Sequence, residues 1–245
     1  MRVEHRRWFS PNLGHDMELM LYGHGGKPLL CFPSYNGRMA DWASFGMVDA
    51  VGDLIEAGRL TLVVVDGIDW QSWTNKDAPA EHRARRHNDY YRYITDEVVP
   101  LARVETGQDG VWTTGCSMGA FHAANFFFRR PDLFDGVIAL SGVYQPSHFI
   151  GGFVNDDVYF NSPLYYLPGL NDSSQLDLYR RARIIFCVGQ GAWENEALPD
   201  TRALDEVLAR KGIPARFDYW GTDVEHHWYW WQKMLRHHLG VLWSG

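Results

Sequence analysis

Gly115-Cys116-Ser117-Met118-Gly119 sets a hydroxyl between two glycines, where a β-prone run (Val111-Trp112-Thr113-Thr114) meets a helical run from Ser117 to Arg130, stopped at Pro131. A serine on so sharp a turn is held in a strained backbone conformation and projects outward. A Cβ at either flanking position would collide with the neighbouring strand or helix. The first N–H groups of the following helix point at the same spot and can meet negative charge developing on a carbonyl oxygen. The chemistry predicted is nucleophilic attack by Ser117, with the N–H of Met118 as one oxyanion donor. The pentapeptide alone is a weak signal, so the case needs a base and an acid later in the chain, in the order serine, acid, histidine.

The base is expected after the last strand, where Asp223-Val224-Glu225-His226-His227-Trp228-Tyr229-Trp230-Trp231 lies. His226 falls on the loop side and His227 nearer the helix, so His226 is the expected general base. His237-His238 lies well into the helix and reads as structural. The acid is expected past a strand ending at Gly189, in Gln190-Gly191-Ala192-Trp193-Glu194-Asn195-Glu196. Glu194 is the choice there, with Glu196, Asp200 and Asp223 as alternatives. A second oxyanion donor is expected in the loop Phe32-Pro33-Ser34-Tyr35-Asn36-Gly37. Pro33 has no N–H, which leaves Ser34 or Tyr35.

These residues need a scaffold, and strands alternate with helices in the order that builds a mostly parallel sheet covered on both faces. Val3 to Phe9 and Met17 to Tyr22 open the chain as an antiparallel hairpin around Pro11-Asn12-Leu13-Gly14. Strands follow at Pro28 to Phe32, Leu60 to Val65, Val111 to Thr114, Val137 to Leu140, Arg183 to Val188 and Ala215 to Trp220. Helices are expected over Trp42 to Ala57, Glu81 to Val104, Ser117 to Arg130, Thr201 to Lys211 and His227 to Leu239. The long stretch Val143 to Leu178, rich in Gly, Pro, Asn, Asp and Tyr, reads as a cap over the site or an ordered surface excursion. Trp70, Trp73 and Asn75 follow another strand and are candidate pocket residues, with core packing the alternative.

At 245 residues and 46% hydrophobic composition, the chain suits one domain, 1–245, with a cap or insert at about 143–178. A net charge of -7 argues against nucleic-acid binding, and the basic stretch His82 to Arg86 reads as a solvated helix face. No apolar run reaches membrane-spanning length and Met1 to Arg7 has no signal-peptide stretch, so no membrane partner and a cytoplasmic location are expected. Cys31, Cys116 and Cys187 are expected reduced and buried. No metal-ligand spacing stands out, and no cofactor is implied. Trp228, Trp230, Trp231 and Trp243 fit either a homo-oligomer patch or a dense core.

The chain resembles the esterase-D-type branch of the α/β-hydrolases, and bacterial esterases grouped by that fold. The resemblance rests on Phe32-Pro33-Ser34-Tyr35-Asn36-Gly37-Arg38, Phe45-Gly46-Met47-Val48-Asp49-Ala50, Ser72-Trp73-Thr74-Asn75-Lys76-Asp77, the elbow with His122-Ala123-Ala124-Asn125, and His226 with Trp228 and Trp231. It departs from the pattern where His227 replaces an Asp after the histidine, and where Ala192 stands at the place expected for an acid. It implies an α/β-hydrolase fold and a serine esterase acting through an acyl-enzyme on a small or medium acyl ester. An acyltransferase with the same triad, or a non-catalytic binding protein on this scaffold, are the rival readings.

Overall fold

The computed structural model describes residues 1–243, so the last two residues of the expected 1–245 unit lie outside the described residues. Eight strands form one sheet: β1 (Val3–Ser10), β2 (His15–Tyr22), β3 (Lys27–Phe32), β4 (Leu60–Val65), β5 (Val111–Cys116), β6 (Phe134–Leu140), β7 (Arg183–Val188) and β8 (Arg216–Tyr219). Their order is β1-β2-β4-β3-β5-β6-β7-β8. β1 pairs antiparallel with β2, β2 antiparallel with β4, and every later pair is parallel. This is the expected architecture, hairpin included. β4 is buried at all six positions, as a parallel strand covered on both faces must be.

Two apolar layers flank the sheet. On one side Ala120, Ala123, Phe126 and Phe127 of the helix Met118–Arg129 pack with Tyr90, Tyr93 and Val98. On the other, Trp42, Leu54 and Ile55 pack with Trp231, Leu235 and Leu239 of the last helix, Trp228–Leu242. Burying a side chain of this size contributes about 1.5–3 kcal/mol. The tryptophans near the end serve this second layer: Trp231 is buried, and Trp228, Trp230 and Trp243 pack partly buried against it.

Two helices expected as continuous are broken. Trp42 to Ala57 is instead a helix Met39–Ser44, a 3₁₀ turn Asp49–Val51 and a short helix Gly52–Glu56. Gly46 between them has φ 72°, a left-handed conformation that a helix cannot carry through. Glu81 to Val104 is a helix Ala80–Tyr93, a π-helical turn Ile94–Val98 and a helix Val99–Thr106. Pro100 has no N–H and its ring crowds the preceding turn, and the backbone widens just before it. The stretch from 143 to 178 is ordered as short helices Ser147–Ile150, Asp156–Tyr159 and Pro163–Tyr166, then the start of Ser173–Arg181.

The parallel strands step from β3 to β4 on one side and then cross to β5 on the other. A crevice therefore opens at the carboxyl ends of β3 and β5, where open α/β sheets bind ligands. Ser117 follows β5 immediately, with φ 57° and ψ -120°, and its N–H donates to the Leu140 carbonyl at 2.9 Å. A Cβ on Gly119 would overlap the carbonyl oxygens of Phe32 and Pro33, and one on Gly115 would overlap the backbone of Gly119. Gly119→Ala is therefore expected to cost about 1–3 kcal/mol, read as a lower thermal midpoint. A midpoint equal to that of the wild type would count against this packing account.

Candidate active site

Ser117 and His226 are 109 residues apart in sequence, yet the Ser117 hydroxyl donates to His226 Nε2 at 2.8 Å. On the other side of the ring, Nδ1 donates to Glu194 Oε2 at 3.1 Å. A carboxylate only accepts, so the proton sits on Nδ1 and Nε2 is left free to accept from the serine. Glu194 is 1% exposed. Its second oxygen, Oε1, accepts from the Ser141 hydroxyl at 2.6 Å and from the Gly189 N–H at 3.3 Å. Three acceptor contacts hold this buried carboxylate in place, as a buried charge requires.

The three side chains come from three loops at the carboxyl ends of the strands, and the loops are bonded to each other. The His226 N–H donates to the Ala192 carbonyl at 2.9 Å, and the Gly191 N–H to the Val224 carbonyl at 2.9 Å. This stitching needs close backbone approach: a Cβ on Gly191 would come within 2.7 Å of the Val224 oxygen, and one on Gly189 would overlap it. Trp193, next to Glu194, has φ 68°, uncommon for a residue with a side chain. The Trp231 ring stands edge-on to His226 with centroids 4.8 Å apart.

The serine opens into a cavity of about 220 Å³ lined by Tyr35, Met118, Val143, Phe149 and Trp193 among others. Met118 begins its helix, so its N–H lacks an intrahelical partner. The loop after β3 turns through Asn36, with φ 52°, and the Gly37 N–H donates to the Ser34 carbonyl at 2.8 Å. Tyr35 lines the cavity, whereas Ser34 is half-buried at the start of the turn.

Of the alternative acids, none is bonded to His226 among the described residues. Asp200 is buried and accepts from the Tyr144 N–H at 2.7 Å and from Gln145 Nε2 at 2.8 Å. Glu196 is exposed and lines the cavity, and Asp223 is exposed on the turn after β8. His227 caps the last helix, accepting from the Tyr229 N–H at 3.2 Å.

Two expectations about the surroundings are corrected. Trp70, Trp73 and Asn75 are absent from the cavity wall: Trp70 is 61% exposed, while Trp73 takes the core-packing alternative, buried against Phe121 and His87. Nor is His82 to Arg86 a uniformly solvated face. Arg83 is buried and donates to the carbonyls of Trp73 and Phe149, and Arg86 donates to Gln71 and to the Leu13 carbonyl. A helix turns every residue of a five-residue run to a different direction, so composition could not tell which arginine faces inward.

Ser141 and His148 escaped the sequence reading. Ser141 has φ 53° at the end of β6, and the Ser141-Gly142 pair closing a buried strand was its only signal. His148, in the cavity wall, stands with Nε2 3.1 Å from Asp200 Oδ2 and Nδ1 3.7 Å from Glu196 Oε2. Nothing in the linear sequence pairs it with residues about fifty positions later.

A largely parallel eight-stranded sheet, a serine on the turn after its central strand, and a histidine and an acid on later loops define an α/β-hydrolase. The chain belongs to the family described as "Putative esterase", whose pattern it matches over residues 10–242, and its function is accordingly that of a hydrolase of the esterase class. A comparison with the curated proteins returns no match. Among solved structures the chain is similar to a ferulic acid esterase (TM-score 0.78, 18% identity, 98% of this chain and 96% of that one covered). It is also similar to the S-formylglutathione hydrolase FrmB of Staphylococcus aureus (0.73, 15%, 98% and 96%) and to MPT51 of Mycobacterium tuberculosis (0.75, 16%, 99% and 98%). At these identities the likeness is one of fold.

The hydrogen bond that His148 donates to Asp200 holds its imidazole above the usual histidine value of 6.5, against partial burial. A raised folded-state value stabilises the fold fully below pH 6.5, and that stabilisation is lost as pH rises through the raised value. The thermal midpoint of His148→Asn should therefore lie furthest below the wild type just under pH 6.5 and approach it at higher pH. A gap that stays constant across this range would refute the assignment.

Proposed function

We propose that the chain is a serine esterase working through an acyl-enzyme, and the unbroken hydrogen-bond line from Ser117 through His226 to Glu194 carries this reading. Ser117 Oγ attacks the ester carbonyl as His226 Nε2 takes its proton. The tetrahedral oxyanion is met by the Met118 N–H and by that of Ser34 or Tyr35. His226 then returns the proton to the leaving alkoxide, the ester C–O bond breaks, and water repeats the sequence in reverse to free the acid. Glu194 keeps the ring in one tautomer and offsets the positive charge of the imidazolium.

The cavity, at about 220 Å³, supports a small or medium acyl group. We read the chain as one domain, with the 143–178 excursion as a cap, because Val143, His148 and Phe149 of that excursion line the cavity with Tyr35. The partner is a small-molecule ester. The three buried, unpaired cysteines support a reducing, cytoplasmic compartment.

Ser117→Ala should abolish p-nitrophenyl ester turnover and the single fluorophosphonate adduct seen by intact mass, with the circular dichroism spectrum unchanged. Glu194→Gln should retain Ser117 but lower kcat on the order of 10³–10⁴-fold, because an amide facing Nδ1 favours the wrong tautomer. Turnover surviving in Ser117→Ala would remove the mechanism.

A further inference from the structure

Three polar side chains unused by the Ser117 site come together under the far half of the last helix. Cys187 in β7 and Asp218 in β8 are register partners of a parallel pair, so their side chains stand side by side on one face of the sheet. The last helix covers that face, since Cys187 belongs to the same apolar cluster as Met234, Leu235 and Leu239. His238 projects from this helix onto the pair. The Cys187 Sγ, a carboxylate oxygen of Asp218 and a ring nitrogen of His238 all lie within 4.8 Å of one another.

His238 is what marks this cluster as more than packing. It is 1% exposed, and neither ring nitrogen has a hydrogen-bond partner among the described residues. Its Nε2 stands 3.6 Å from Asp218 Oδ2, outside hydrogen-bond reach. A buried imidazole with two orphaned nitrogens is costly unless something else satisfies it. Thiol, carboxylate and imidazole together are the donor set of a borderline-soft divalent cation.

We propose that Cys187, Asp218 and His238 form a binding site for a zinc-type divalent cation that clamps β7, β8 and the last helix. Bonds of about 2.0–2.3 Å to one ion place tetrahedral ligand atoms roughly 3.3–3.7 Å apart, so the observed spacing closes by modest side-chain rotation. His237 Nε2, 3.9 Å from the same Asp218 oxygen, is already bonded to Arg216, so the fourth ligand is water. On binding, Cys187 releases its proton to solvent, and the thiolate adds its charge to that of the Asp218 carboxylate, which also pairs with Arg216 at 3.5 Å. His238 lies ten residues beyond the start of its helix at Trp228, about 15 Å along the axis. The site is thus independent of the chemistry proposed at Ser117.

Tag-free protein, dialysed against chelator and then titrated with cobalt(II), should bind one equivalent with a thiolate-to-cobalt charge-transfer band. Zinc should displace the cobalt and raise the thermal midpoint. Cys187→Ser should lose the band, while His238→Gln and Asp218→Asn, both checked by circular dichroism, should each weaken cobalt binding at least tenfold. Should Cys187→Ser fail to fold, these two variants decide. The proposal is overturned by a wild type with no such band at one equivalent, by a band that persists in Cys187→Ser, or by His238→Gln binding cobalt as tightly as the wild type.

Discussion

His226 sits on a loop with no regular structure of its own, and backbone hydrogen bonds to the acid-bearing loop fix its position. The His226 N–H reaches the Ala192 carbonyl and the Gly191 N–H reaches the Val224 carbonyl. Everything proposed for Ser117 depends on this pairing, because a loop free to move by an ångström would break both ring hydrogen bonds. The pairing in turn requires Gly189 and Gly191, whose missing side chains let two backbones meet. Ser141 completes the arrangement from a third direction by donating to the same carboxylate that receives His226.

Behind the elbow, the helix Met118–Arg129 carries polar residues into the core, and they tie the 143–178 excursion to the sheet. His122 bonds to Asp69 at 2.8 Å, and both are buried. Asn125 donates to Asn161 at 2.8 Å, and Arg129 reaches Asn161 and Asn88. Arg83 meets the excursion from the neighbouring helix at the Phe149 carbonyl. Burial, together with the nearby His122 and Arg129, keeps the His87 imidazole well below its usual range and so neutral among aromatic rings. A network of this kind specifies one docking of the excursion, because each slip would leave buried polar groups without partners.

Helix periodicity was legible in Trp42 to Ala57 and Glu81 to Val104, but their interruptions were not. Gly46 could have been tolerated in a helix, and Pro100 could have begun one. Only packing against the rest of the molecule decides between a kink, a π turn and a stop. The inward turn of Arg83 is hidden for the same reason, since the Phe149 carbonyl that it meets lies 66 residues away.

What the sequence determined by itself is local: the elbow, from two glycines around a serine between a strand and a helix, and the parallel sheet, from the alternation of buried strands with helices. The expected order of serine, acid and histidine follows from the same alternation, because chain order follows strand order in this architecture. Only the tertiary structure could choose Glu194 over Glu196, Asp200 and Asp223. Three of these carboxylates lie within seven residues of one another and Asp223 lies three before His226, and the distinction rests on which of them a loop conformation turns inward to the His226 ring. The partners of that carboxylate, Ser141 and Gly189, come directly after β6 and β7, strands that the sheet alone brings side by side. The gathering of Cys187, Asp218 and His238 is of the same kind, since strand register and helix docking, neither written in any local pattern, set the distances between them.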